Sequence, residues 1–386
     1  MVTIPSQPSS FNTTVKRRVC SSHAHHSTHV EYGDEKARLA QCIPKTLPFP
    51  QERLDNSAFC SINGRDQLLA GNGSYVLTDI ALLPPGGESH SISAPEPLFH
   101  TILLGDMGTK SDRREEVFNN VKSMCDKFPS QQSGLIFGLG DWLYPHGPLN
   151  NDDSETQRVK TQIIDAFANL SKHIPKYGVL GNHEYGLSST AADPGIFMSL
   201  ANTADIQFPG RYYALEIQGS DWAADCFALD TSTLACDPAQ LDWFQEQVKT
   251  SKEKEINSEQ KRWRIVMAHH PLVSYGLHHG ETTYLTDLMG HSLQDIDLYC
   301  CGHEHDLEYI IPEGKLPPVL LSGTSSETRD VDTGPDTIFN SSDCGFATVT
   351  IDKNALNIRF HPAQGSELLH QHQIKREARG SSYQKN

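Results

Sequence analysis

The stretch Gly138-Leu139-Gly140-Asp141-Trp142-Leu143-Tyr144 closes an apolar run that begins at Leu135. A run of that kind reads as a buried strand, so Asp141 and Tyr144 leave its carboxyl end, where open α/β sheets place their ligands. A carboxylate and a phenol three residues apart mean little alone, because polar residues commonly end strands for turn formation. Their meaning depends on what other strand ends bring beside them.

The same pattern recurs along the chain. Leu98 to Leu104 ends in Gly105-Asp106-Met107-Gly108, and Tyr177 to Leu180 ends in Gly181-Asn182-His183-Glu184. Arg264 to Ala268 leads to His269-His270-Pro271, Leu298 to Cys301 leads to Gly302-His303-Glu304-His305, and Val319 to Ser322 leads to another glycine turn. Helical spacing covers Ser111 to Lys127, Ser154 to Lys172 and Pro238 to Thr250, the last followed by a solvated Lys- and Glu-rich segment through Lys261. Phe208 to Ile217 alternates as an antiparallel strand does, Cys226 to Leu229 is a further strand, and Phe346 to Phe360 reads as a hairpin around Asp352-Lys353-Asn354. Parallel strand–helix units followed by antiparallel strands predict an α/β fold built as a two-sheet β-sandwich flanked by helices. Residues 1–95, rich in Ser, Pro, His and Gly, are expected to be an irregular flanking region with Ser74 to Leu83 as its best strand. The catalytic unit is expected over 96–362, and 363–386 as a polar C-terminal tail.

Composition excludes several classes. The 386 residues carry 37% hydrophobic and 21% charged side chains, as an ordinary globular protein does. A net charge of -16 argues against a nucleic-acid partner, which calls for basic surface. No stretch is long enough to span a bilayer, and the first thirty residues lack the apolar core of a signal peptide. Nine scattered cysteines without a Cys-x-x-Cys pair read as buried thiols, including the adjacent Cys300 and Cys301. Compartment and oligomeric state stay open.

Five strand ends thus deliver Asp106, Asp141 with Tyr144, Asn182 with His183, His269, and His303 with His305. These are oxygen and nitrogen donors without a thiolate, a set that suits iron, zinc or manganese. His303 and His305 on an extended segment have Cα atoms roughly 6.5 Å apart, which lets them serve two neighbouring ions. A phenol sheds its proton near neutrality only beside a strong Lewis acid, so Tyr144 argues for a trivalent metal.

With these motifs in this order, the chain resembles the calcineurin-like metallophosphoesterases, and among them the small, tartrate-resistant type of purple acid phosphatase. The resemblance spans about residues 98 to 360 and includes Phe227-Ala228-Leu229-Asp230-Thr231 and Leu321-Ser322-Gly323. It implies a four-layer α/β/β/α sandwich and an acid phosphatase acting on phosphate monoesters of small molecules or phosphoproteins. It implies Fe(III) on Asp106, Tyr144 and His305, a divalent iron, zinc or manganese ion on Asn182, His269 and His303, and Asp141 bridging the two. The nucleophile is then a metal-bound hydroxide. His183 matches the non-ligand histidine that protonates the leaving group, with Glu184 either orienting it or serving as a solvated turn carboxylate. His279 is taken as the substrate-side histidine from the glycine that follows it, although the spacing from His269 fits His278. His270 stands where the relatives usually have tyrosine, and packing is its expected role. Members of the resembled family are commonly secreted, lysosomal or vacuolar. Two alternatives accompany this reading: an enzyme preferring phosphodiesters, nucleotides or phosphoproteins, and a catalytically silent interaction scaffold.

Overall fold

A computed structural model describes residues 84–94, 97–128, 134–171, 173–187, 190–258, 260–278 and 282–376, together with the backbone of a three-stranded antiparallel sheet, Phe59–Ile62, Arg65–Ala70 and Gly73–Val76. The histidine-rich tract at 23–29, the substrate-side candidate His279 and the terminal residues 377–386 lie outside the described residues.

The apolar runs become the central strands of two sheets. In the first, of seven strands, Ile206–Gln207, Lys176–Val179, Gly134–Leu139 and Phe99–Leu104 run parallel, and Gly345–Ile351, Ala355–Pro362 and His370–Lys375 continue antiparallel. The second, of eight strands, centres on the parallel set Trp222–Ala228, Lys261–Met267, Leu298–Cys301 and Val319–Ser322. Leu307–Ile310 and Thr337–Ser341 flank it on one side, Tyr213–Gln218 and Glu88–Ser93 on the other. Strand alternation splits the apolar side chains among three buried clusters. Phe99, Leu103, Phe137 and Leu139 meet Leu215, Ile265, Met267 and Cys300 between the sheets. Ile102, Leu104 and Ile136 pack outward against Val117, Val121, Ile163 and Phe167 of the helices, and Val266, Cys301 and Leu321 do the same with Phe244, Val248 and Leu285. Three apolar interfaces make four layers, as expected. Adjacent Cys300 and Cys301 face opposite sides of their strand as free thiols.

The folded unit extends beyond both expected limits. Glu88–Ser93 pairs in parallel with Tyr213–Gln218, ahead of the boundary placed at 95, and His370–Lys375 forms an edge strand where a polar tail was expected. Both are polar edge strands, with few apolar side chains to betray them. Two helices also depart from expectation. Pro238–Ser258 runs on through the Lys- and Glu-rich segment, whose Lys252, Lys254 and Glu255 reach Asp295, Glu216 and Arg264. The helix begun at Asp153 passes through a π-helical turn at Lys160–Ile164 before Asp165–Ala168 completes it.

One packing contact ties the opening motif to the core. The Trp142 indole folds back over the paired strand residues Gly138 and Gly178, donates from Nε1 to Val179 O at 2.8 Å, and sits edge-on to Phe167 at 4.8 Å. A Cβ at Gly138 would lie 2.1 Å from the indole, and one at Gly178 2.2 Å. Gly138→Ala is therefore expected to lower stability by about 1–3 kcal/mol through overpacking, read as a fall in the thermal unfolding midpoint; an unchanged midpoint would show that the indole yields freely.

Candidate metal centre

The parallel strands of both sheets end along one seam, and each donor leaves its strand at a sharp bend. Asp106, Asp141 and His303 have φ of 56°, 52° and 77°, three of the four non-glycine residues with positive φ among the described residues. That left-handed conformation is costly for a residue with a side chain and clusters where function demands it. Gly140, at φ 92°, has no choice in the matter: a Cβ there would lie 2.5 Å from Nδ1 of His269.

All seven expected metal donors meet, and all are buried or nearly so. They fall into two groups. In one, Tyr144 OH lies 3.0 Å from Asp106 Oδ1, 3.1 Å from Asp141 Oδ2 and 2.9 Å from His305 Nε2. In the other, Asn182 Oδ1 lies 3.0 Å from His269 Nε2 and 3.1 Å from His303 Nδ1, with the two imidazole nitrogens 3.2 Å apart. Asp141 belongs to both, because its other oxygen, Oδ1, is 3.3 Å from His269 Nε2. His303 and His305 thus serve different groups, although their segment is a bend and not the expected extended strand.

The protons do not suffice for these contacts. Nδ1 of His269 faces the carbonyl oxygen of Leu139 at 2.8 Å, and a carbonyl only accepts, so Nδ1 carries a hydrogen. Tyr144 has one proton for two carboxylate acceptors, Asp106 and Asp141. Burial, then the carboxylates of Asp106 and Asp141, push its phenol well above the ordinary range. Burial opposes charge on His269, yet Asp141 outweighs it and pushes the imidazole up to about 9. Both groups call for positive charge. Separations near 3 Å are what neighbouring ligands show around an ion bound at about 2.1 Å, so the residues fit a pair of metal ions. Asp106, Asp141 and His269 also stand out as a metal-type cluster, as do His269, His270 and His303.

His183 lies at the rim, its side chain 19% exposed and Nε2 3.7 Å from Asp141 Oδ2. Its ring is edge-on to Tyr144 at 4.4 Å. The expected orienting role of Glu184 is corrected here: Nδ1 of His183 donates to Pro145 O at 2.6 Å, while Glu184 is fully buried and accepts from main-chain N–H groups, so it is not a solvated turn carboxylate either. His278 is described and exposed, and partial burial, then the charges of Arg329 and the donor His305, lower the pKa of its imidazole. His270 is buried, as expected, with Nδ1 2.8 Å from Thr231 Oγ1.

Sequence reasoning missed the residues that brace the donors. Gln162, on the π-helical turn, donates to Tyr144 O and Gly108 O at 2.8 and 2.7 Å. Ser326 Oγ donates to Asp106 O at 2.6 Å, and Glu327 Oε2 stands 3.5 Å from the outward Nδ1 of His305. None lies at the end of an apolar run; the Ser325-Ser326-Glu327 loop after the last glycine turn was the one available signal.

Tartrate-resistant acid phosphatase type 5 of Sus scrofa is 25% identical over 319 residues, covering 74% of this chain and 89% of its own. Among solved structures, GAP50, described as the anchor in the inner membrane complex of Plasmodium, superposes with a TM-score of 0.57 at 18% identity over 74% of this chain and 91% of that one. The purple acid phosphatase PPD1 of Lupinus luteus seeds gives 0.53 at 15% identity, over 79% of this chain and 57% of that one. The calcineurin-like phosphoesterase family profile matches residues 99–307, more than half of the sequence and a range that contains the positions of the seven donors. The chain belongs to the calcineurin-like phosphoesterase family.

Proposed function

We propose that the protein is an acid phosphatase that hydrolyses phosphate monoesters at a two-metal centre. Asp106, Tyr144 and His305 hold Fe(III); Asn182, His269 and His303 hold a divalent iron, zinc or manganese ion; Asp141 bridges them. The observation that carries the reading is the division of one carboxylate, Asp141 Oδ2 toward the phenol group and Oδ1 toward the imidazole group. Two ions so held supply Lewis acidity to a phosphate ester and to water.

The chain's own residues do the rest. Tyr144 offers a phenolate, a donor that favours a trivalent ion over a divalent one. His183 has its tautomer set by Pro145 O, which leaves Nε2 facing the open side of the centre. A substrate there meets an imidazole able to give a proton to the departing alkoxide or phenoxide. The intact donor set speaks against a silent scaffold, since a scaffold has no use for seven converging donors. Loops, not donors, set the leaving group, so preference for monoesters over diesters, nucleotides or phosphoproteins is a matter for assay.

Metal analysis and a visible spectrum on one purified sample test the centre. Two ions per chain and a violet-to-pink absorption are expected, and Tyr144→Phe is expected to abolish the colour; a colourless, fully active zinc protein would reject the ferric phenolate. Asp141→Ala should lose metal and turnover together, whereas His183→Ala should keep its metal and lose about 10²- to 10⁴-fold in kcat. Metal loss in His183→Ala would overturn the division of roles. Across aryl phosphates, diesters, nucleotides and phosphopeptides, a dominant diesterase activity would reject the monoester reading.

A further inference from the structure

We propose that Glu184 is the positioning residue for the bridging carboxylate, locking the Asp141 loop to the Asn182 loop so that one carboxylate can be shared between two ions; this rests on the two-metal reading above. Four main-chain donors converge on its side chain. Asp141 N and Gly181 N donate to Oε2 at 3.1 and 2.7 Å, and Trp142 N and Leu143 N donate to Oε1 at 2.9 and 3.2 Å. The residue is 0% exposed.

Three of these donors are consecutive, and the first belongs to Asp141, whose φ is 52°. Successive N–H groups around a left-handed residue form an anion-binding concavity. Here the protein fills that concavity with its own carboxylate. Asp141 is consequently held at both ends: its N–H by Glu184, its carboxylate oxygens between the two donor groups. Gly181, on the other side of the clamp, is the residue before the donor Asn182.

The clamp is itself anchored. Tyr185, the next residue, donates from its hydroxyl to Asp230 Oδ2 at 2.5 Å, and Arg211 reaches the same oxygen at 2.8 Å. Arg211 also binds Asp237 at 2.6 Å. A buried ion pair on the neighbouring residue leaves the Glu184 backbone little room to shift.

Chemistry makes the usual conservative change a severe one. A glutamine has one acceptor oxygen and an NH2 group, so two of the four N–H donors would face another donor. An aspartate keeps both oxygens but draws them back by one methylene.

The test compares wild type, Glu184→Gln, Glu184→Ala and Glu184→Asp by metal stoichiometry, the spin coupling of the two ions in electron paramagnetic resonance, and circular dichroism. Wild type loaded with iron or manganese in the divalent position, since zinc is diamagnetic, is expected to hold two coupled ions. Glu184→Gln should retain its fold, bind the more labile ion about 10- to 100-fold more weakly, as loss of an outer partner does, and show an isolated ferric signal in place of the coupled one. In Glu184→Ala, added acetate or propionate should restore coupling, an effect that a merely structural role would not give. A folded Glu184→Gln with two ions and wild-type coupling would overturn the proposal. If Glu184→Gln does not fold, Glu184→Asp decides: altered coupling supports the clamp, and unaltered coupling refutes it. Fewer than two ions in wild type, or no coupling when iron or manganese fills the divalent position, would instead defeat the two-metal reading itself, and this proposal with it.

Discussion

Electron pairs repel, and along one seam of this protein seven side chains turn theirs into the same small volume. One phenol proton is contested by the carboxylates of Asp106 and Asp141, and Asp141 presses on His269 strongly enough to raise the pKa of its imidazole despite full burial. Such a gathering persists only if each donor is secured from behind. Leu139 O secures His269, Ser326 holds the Asp106 carbonyl, and Gln162 holds that of Tyr144. The sandwich is what makes this bracing feasible. Its two sheets bring parallel strand ends together, and Ser322 of one sheet ties directly to Leu103 O and Ala347 N of the other, at 3.0 Å in each case.

The same crowding accounts for the backbone. Three donors in left-handed conformations cost of order 1–3 kcal/mol each, a large sum against a net stability of about 5–15 kcal/mol. The strain sits beside a cluster of packed aromatic rings. Trp142 immediately follows Asp141 and is gripped by Phe167, Phe197 and Phe208. Metal binding to the folded chain alone would add to stability by mass action, so strain at the donors and affinity for cations are two faces of one arrangement.

Legibility followed physical type. The donors were readable because each ends an apolar run, and a buried strand followed by glycine and a polar residue is visible without knowing what lies next to it. Asp106, Asp141, Asn182 and His303 have that form, Tyr144 and His305 follow within three residues, and His269 ends its run without a glycine. Edge strands such as Glu88–Ser93 and His370–Lys375 lack that form, because half-exposed polar residues pair through main chain alone. Gln162 was hidden for a different reason: only a π-helical turn, which has no sequence pattern of its own, aims it at Tyr144 O. Glu184 was noticed and misassigned, since proximity in sequence pointed to His183 while its actual partners are N–H groups, which every residue but proline possesses.

Charge beyond the donors completes the electrostatic picture. Glu304, Asp306 and Glu308 alternate with the histidine donors and are buried without exposure. Glu308 accepts from Ser274 Oγ at 2.5 Å and Tyr275 N at 3.0 Å. Burial and then the neighbouring Glu308 push Asp306 well above the ordinary carboxyl range, so the pair keeps a proton and avoids the repulsion of two adjacent anions. What negative charge remains lies close behind His303 and His305, where it favours cations of high charge. The whole chain, at -16, offers a phosphate ester no general attraction. Attraction must be local, and bound ions are the largest local charges such a site can have. On the proposed two-metal reading, substrate affinity would therefore depend on the cations themselves: a phosphate dianion has little reason to approach this acidic seam until positive charge is already in it.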